Sequence, residues 1–334
     1  MRNSIFALLF LCPVALGWAA PQGNVQQEEL PTFKADVNVV NLYFNVKDKR
    51  GLLIPNLPKE QFQVFEDGKP QTIKYFSADT NQPLTLGILI DSSVSQERML
   101  ETEKAVGSAF LKDVMGPKDA AFVISFDVNV DLLQDFTNSV RDLRDALYRA
   151  KINAGGAGGG PPGLGGGPLP MPRNPKGTLL YDAVWLGARE KLAKEVGRKA
   201  MIVLTDGEDQ GSRETIKDAI EAAQKADAMV YVILIADRGF YYGLGGGYSG
   251  DRMMKDLAQQ TGGRVIEVGD NEKKLKEAFD QIAAELRSQY SIGYTPTNSK
   301  LDGTFRKVEI KIKDRDYRIQ ARKGYYAIKP TTGD

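Results

Sequence analysis

The sequence predicts an α/β protein: a doubly wound, mostly parallel sheet inserted into a smaller, discontinuous β-sandwich made by the two ends of the chain. Three observations carry that prediction. The run Leu84–Asp91, LTLGILID, has no charge before its last residue, as suits a strand buried on both faces of a parallel sheet. From Pro83 to Ser288 such runs alternate with helical stretches, and repeated βα units demand a parallel sheet covered by helices on both sides. Outside that interval the pattern is short alternating strands. Each end has too few of them to be stable alone, so the two ends are expected to pair.

The chain of 334 residues has room for about two domains. Its apolar content of 42% and charged content of 26% are ordinary for a globular protein. A formal net charge of +1 supplies no global field to recruit nucleic acid or an anionic membrane.

Residues 1–20 read as a signal peptide: Arg2 is a short positive region, Ile5–Leu16 an apolar one, and Gly17-Trp18-Ala19 offers small residues around a cut after Ala19. The apolar stretch is short for a membrane span of about 20 residues, so the mature chain is expected to have no integral span and to be exported, periplasmic or secreted. The only cysteine, Cys12, lies inside that segment, and there is no histidine. A mature chain without either excludes disulfides, zinc sites of the usual Cys/His kind and Ser-His or Cys-His nucleophile pairs, and argues against an enzyme.

Taken in order, residues 21–32 are polar and proline-flanked and read as a disordered leader. Residues 33–80 form the first part of the β-domain. Val40, Leu42, Phe44 and Val46 alternate with Asn41, Tyr43 and Asn45, Leu52–Leu57 is a turn region, and Phe62–Phe65 and Thr72–Phe76 make a hairpin about Asp67-Gly68.

Residues 83–288 form the α/β domain. After the strand at Leu84 come a helix over 96–114, a strand over Ala120–Asp127 and an antiparallel edge strand over Val130–Phe136. Val140, Leu143, Leu147 and Ala150 mark the next helix, and another runs from Thr178 to about Glu195. Strand Ala200–Thr205, helix 213–227, strand Met229–Ala236, helix 251–260, strand Arg264–Val268 and helix 271–288 follow.

Residues 289–328 return to β, with strands at Gln289–Tyr294, Thr304–Lys313, Tyr317–Ala321 and Tyr325–Ile328. Between 306 and 323 there are eight Lys and Arg residues. Alternation puts most of them on a solvated face, so a nucleic-acid partner is not expected.

Four of the α/β strands end in an aspartate: Asp91, Asp127, Asp206 and Asp237. All four should lie along the carboxyl edge, where doubly wound sheets place ligands. Asp91, Ser93 and Ser95 are spaced two apart, which points three oxygen-bearing side chains the same way in an extended segment. Hard oxygens there suit a Mg²⁺-class cation. By itself the triplet reads more readily as a helix cap. Two further donors at the right topological places favour the metal: Thr178, which opens a helix, and Asp206, which ends a buried strand. Asp127, Asp209 and Asp237 read as caps and loop charges.

Two glycine-rich loops, Gly155–Pro170 and Gly239–Gly250, open on the same edge. The first contains a literal GxGxxG at Gly158–Gly163, but no strand feeds it and Pro161-Pro162 cannot open a phosphate-binding helix. The second sets Phe240, Tyr241, Tyr242 and Tyr248 among glycines, as a contact surface or a disordered insertion.

With these residues in view, 84–288 resembles the von Willebrand factor type A (VWA) domain and its metal-ion-dependent adhesion site. The flanking segments VNLYFNV, FEDGKPQ, SIGYTPTN and ARKGYYA resemble those of bacterial exported VWA-related proteins of the acidobacterial type. The resemblance implies that Asp91, Ser93 and Ser95 are metal ligands from the first loop, Thr178 from the second and Asp206 from the third. The cation it implies is Mg²⁺, with Mn²⁺ and Ca²⁺ left open. Val94 departs from the pattern, which often has glycine there. The expected function is divalent-metal-dependent protein binding, in which the cation accepts a carboxylate from a protein partner offering an acidic side chain. A structural envelope scaffold is the alternative, and a serine hydrolase using Ser93 or Ser95 with a lysine base a weaker one, since no Ser-x-x-Lys is present. Oligomeric state stays open.

Overall fold

A computed structural model describes residues 39–78, 82–152, 177–235 and 250–328, all within the compact unit Asn38–Asp334. The expected signal peptide and leader, the first glycine-rich loop, all of the second but Gly250, and Asp237 lie outside the described residues.

The chain begins with β1 (Val40–Lys47), β2 (Phe62–Glu66), β3 (Lys69–Gln71) and β4 (Ile73–Ser77). It ends with β11 (Tyr290–Tyr294), β12 (Phe305–Ile312), β13 (Arg318–Ala321) and β14 (Gly324–Tyr326). These eight strands form two antiparallel sheets, ordered β13-β1-β11-β4 and β14-β12-β2-β3. Each of these two sheets mixes strands from both ends of the chain, so neither end completes the sandwich alone. Val40, Leu42, Phe44 and Val46 share one core with Phe62, Tyr290, Ile292 and Val308. Phe44 stacks on Tyr290 at 5.3 Å and meets the edge of Phe62 at 5.2 Å.

The Asp67-Gly68 hairpin is shorter than the local pattern predicts. Both turn residues have positive φ, 48° and 78°, as the tightest hairpin turns require. Across the turn β2 pairs with Lys69–Gln71 alone, and the chain then crosses to the other sheet, where β4 pairs with β11. The crossing carries Ile73 and Phe76 into the core between the sheets.

Between the two halves lie β5 (Leu84–Asp91), β6 (Ala120–Phe126), β7 (Val130–Thr137), β8 (Arg198–Thr205), β9 (Ala228–Leu234) and β10 (Val265–Glu267). They form one sheet in the order β10-β9-β8-β5-β6-β7. All pairings are parallel except that of the edge strand β7. The helices are α1 (Leu100–Val114), α2 (Val140–Arg149), α3 (Leu180–Leu186), α4 (Ile216–Lys225), α5 (Gly250–Thr261) and α6 (Glu272–Arg287).

Strand alternation divides the core. Ala200, Ile202 and Leu204 of β8 pack with α1, α2 and α6 through Leu111, Leu147 and Phe279. Met201 and Val203 pack with α3, α4 and α5 through Val184, Ala223 and Leu257. Each of these Val, Leu, Ile, Met and Phe side chains, fully buried, contributes about 1.5–3 kcal/mol. The helix expected over 178–195 does not run on as one α-helix. After Leu186 it widens into a π turn over Gly187–Lys191 and closes with a 3₁₀ turn over Leu192–Lys194, which returns Leu192 to full burial.

The sandwich and the α/β part are joined around Glu285 of α6, which is 2% exposed. Its carboxylate accepts from Lys47 Nζ at 2.9 Å, Arg264 Nε at 2.7 Å and Gln320 Nε2 at 3.1 Å. Asn45 Nδ2 donates to its backbone carbonyl at 2.8 Å. Among the described residues no helix is long and apolar enough to cross a membrane.

Candidate metal centre

Within the six-stranded sheet, β5 and β8 are neighbours from which the chain winds outward in opposite directions. Their carboxyl ends flank the crevice in which doubly wound sheets bind ligands. Asp91 closes β5 and is completely buried. Because Ile90 pairs with Leu204, Thr205 stands beside it, and the Thr205 hydroxyl donates to Asp91 Oδ2 at 2.8 Å. The Ser93 amide donates to Asp91 Oδ1 at 3.0 Å.

Ser93 is extended (φ −68°, ψ 160°) and leads into a 3₁₀ turn over Val94–Gln96. That turn brings the Ser93 and Ser95 hydroxyl oxygens to 2.9 Å from each other. Val94 is 58% exposed. Its side chain therefore points away from the cluster, and the departure from glycine leaves the loop's geometry intact.

Asp206 follows β8 and is buried, its Oδ1 accepting from the Glu208 amide at 3.1 Å. The sharp turn after it needs Gly207, at φ +88°. A Cβ there would lie 3.2 Å from Gly250 Cα, and one on Gly250 would lie 2.8 Å from the Gly207 backbone. Two glycines thus let the third loop and the start of α5 touch backbone to backbone. Gly250 N–H also donates to Glu208 Oε1 at 2.9 Å.

Thr178 is buried just before α3, on a backbone clamped between the end of β6 and the third loop. The following amide, of Leu179, donates to the Asp127 carbonyl at 2.8 Å, and the Gln210 amide donates to the Thr178 carbonyl at 2.9 Å. Asp127 belongs to the same strap, accepting from the Ser92 hydroxyl at 3.2 Å and the Asn129 amide at 2.9 Å. Asp209 accepts from the Tyr181 amide at 3.2 Å and the Ser212 hydroxyl at 2.5 Å. Both aspartates are held as caps.

The structure thus joins Asp91, Ser93 and Ser95 through hydrogen bonds, sets Asp206 close enough for its charge to act on Asp91, and fastens the Thr178 backbone to the third loop and to Asp127 at the end of β6. Burial first, and then the charge of Asp206, push the Asp91 carboxyl up to about 7, against the hydrogen bonds from Ser93 and Thr205. The donor set fits a hard divalent cation, which would answer both carboxylates at once. Among the described residues no group of three or more His, Cys, Asp or Glu is arranged to hold a metal; a centre of two carboxylates and three hydroxyls is a different donor set. Ser95, the exposed member, and Asp206 border a cavity of about 210 Å³ with Met99, Ile235, Gly269 and Asp270.

Sequence reasoning missed Thr205, Gln96 and Glu103. Gln96 is 1% exposed. With its amide turned to satisfy both neighbours, it donates to Glu103 Oε1 at 3.3 Å and accepts from the Asp206 amide at 3.3 Å. Glu103, on α1, is raised well above the usual carboxylate range by burial, then by Asp91 and Asp206. A signal for it was present. Glu103 lies three residues after Leu100 and seven before Phe110, on the helix's apolar stripe.

No protein-family model matches the chain, and no curated protein does. Solved structures do. The chain is similar to the conserved hypothetical protein BatB from Bacteroides thetaiotaomicron at 18% identity, over 61% of this chain and 100% of that one, with a TM-score of 0.42. It is similar to proximal thread matrix protein 1 from the mussel byssus, in a structure with a zinc-occupied MIDAS motif, at 14% identity, over 65% of this chain and 48% of that one, with a TM-score of 0.47. A third is the SpRpn10 VWA domain, at 13% identity, over 59% of this chain and 94% of that one, with a TM-score of 0.40.

Proposed function

We propose that this chain is an exported, divalent-metal-dependent protein-binding module. A cation of the Mg²⁺ class would be held by Asp91, Ser93, Ser95, Thr178 and Asp206. Two carboxylates and three hydroxyls leave such an ion incompletely neutralised and able to take another hard oxygen. A carboxylate from a partner protein supplies it, and the ion then bridges two molecules. The reading of export rests on residues 1–20, and kinship with the acidobacterial-type exported proteins on the flanking segments.

One observation carries the reading. A fully buried aspartate at the sheet's crevice faces a second one, with hydroxyls beside them. The exposure of Ser95 on an open cavity favours binding over a purely structural ion.

Titration calorimetry with Mg²⁺ and Mn²⁺ tests it. The wild-type chain is expected to bind one equivalent, and Asp91→Ala to bind none. Unchanged binding by Asp91→Ala would show that the ion sits elsewhere. Capture of an envelope partner in Mg²⁺ but not in EDTA, lost in the same variant, would then separate adhesion from scaffold.

A further inference from the structure

The cavity of about 210 Å³ beside the metal centre has two kinds of wall. Ser95 and Asp206, two of the five proposed ligands, make one side of it. Met99 and Ile235, both buried, supply apolar surface, and Val94, 58% exposed, lines it as well. A single exposed valine is ordinary on a protein surface. One that shares a cavity with two buried apolar side chains and two proposed ligands is not isolated. The volume falls short of the ~300–1,000 Å³ of pockets that hold a whole small molecule, and it suits one side chain. Of the charged residues that complete the lining, Glu97 and Asp270 outnumber Arg98.

We infer that this cavity is a specificity subsite for the protein partner, taking an apolar side chain two positions from the acidic residue whose carboxylate reaches the ion. The inference rests on the metal-binding reading above and defines the partner's chemistry more closely. In an extended segment, side chains two residues apart return to the same face about 7 Å from each other. An acid set on the ion therefore carries its second neighbour toward the ground that Ser95 and Asp206 share with Met99, Ile235 and Val94. There an apolar side chain removes its own surface, and that of Val94, from water. A second carboxylate would instead meet Asp206, Glu97 and Asp270 against one arginine, and like charges brought together disfavour the wrong partner. The subsite thus selects a lone acid with an apolar second neighbour over an acidic cluster.

The test is fluorescence anisotropy with three labelled, capped peptides whose cores are Leu-Ser-Asp-Ser-Leu, Gly-Ser-Asp-Ser-Gly and Asp-Ser-Asp-Ser-Asp. In Mg²⁺ the leucine peptide is expected to bind about 10–100-fold more tightly than either of the others, the return on burying one large apolar side chain. In EDTA it is expected not to bind. Val94→Ser, at an exposed position, should lower the leucine-to-glycine affinity ratio severalfold, and that ratio is read within one variant whatever its metal loading. A ratio of one in the wild type, a preference for the aspartate peptide, or a ratio unmoved by Val94→Ser overturns the inference. So does a chain that takes up Mg²⁺ by calorimetry and binds none of the three peptides. If the wild-type chain takes up no Mg²⁺, it is the metal-binding reading that falls.

Discussion

Glu285 and Asp91 are both buried carboxylates at the end of a secondary-structure element, 2% and 0% exposed, and the protein treats them in opposite ways. Around Glu285 it supplies its own cations: Lys47 and Arg264 lie within hydrogen-bond distance, and Gln320 takes the second oxygen. Burial lowers the pKa of the Lys47 ammonium, and the charge of Glu285 works against that shift. Around Asp91 it supplies another carboxylate, Asp206, together with the Ser93 amide and the Thr205 hydroxyl. An uncompensated buried charge is expensive. Where the task is to lock the sandwich onto α6, the chain meets that cost internally. At the sheet's crevice it leaves the charge to be met from outside.

The largest effect expected from this contrast is at the junction. Glu285→Ala strips the partner from two buried or half-buried cations and should cost about 3–5 kcal/mol, the range for breaking a buried pair by removing one member. Denaturant unfolding reads it. The loss should be the same in Mg²⁺ and in EDTA, because the network touches none of the proposed ligands. A loss that metal restores would mean that the two regions are one electrostatic unit and would break the comparison.

The two regions also differ in how far the sequence discloses them. Asp91, Ser93 and Ser95 are legible because they are close in sequence and follow a strand whose burial on both faces erases alternation. Strand β1 is legible for the complementary reason, its alternation reporting a single buried face. Glu285 is hidden, since its partners Lys47 and Arg264 are 238 and 21 residues away and its neighbours in the helix are those of any amphipathic segment. Glu103 is masked by Glu101, Thr102 and Lys104, which make it look solvated although its spacing from Leu100 and Phe110 puts it on the apolar stripe. The sheet change at Gln71–Ile73 is invisible locally, because a strand that closes a hairpin and one that crosses to another sheet share the same period. Contacts made by long excursions of the chain leave no local trace.

Metal addition is the next effect in size, and it belongs to the other region. A ligand that binds only the folded state at a hundred times its dissociation constant stabilises by about 2.7 kcal/mol, several degrees in melting temperature for a chain of this length. Mg²⁺ should therefore raise the melting temperature relative to EDTA. Glu285→Ala should melt lower but rise by the same increment, as independent sites do. Asp91→Ala should not rise at all. An increment that shrinks in Glu285→Ala would place coupling between junction and crevice.

Thr205→Val sharpens the contrast at the finest scale. The Thr205 hydroxyl donates to Asp91 at 2.8 Å and accepts from the Gly207 amide at 3.0 Å, so one oxygen ties the first loop to the third. Valine keeps the shape and the β-branching that suits a strand end, and removes both bonds. The Gly207 amide is then left without this acceptor at a buried turn, and Asp91 loses one of the few dipoles facing it. A cost of about 1–2 kcal/mol follows for the metal-free protein. With metal bound, the cation takes over the compensation of Asp91, and only the Gly207 share of the loss should persist. Melting Thr205→Val in EDTA and in Mg²⁺ should thus show a larger metal increment than the wild type, the reverse of what Asp91→Ala shows. An increment smaller than that of the wild type would mean that Thr205 places the ligands more than it balances their charge.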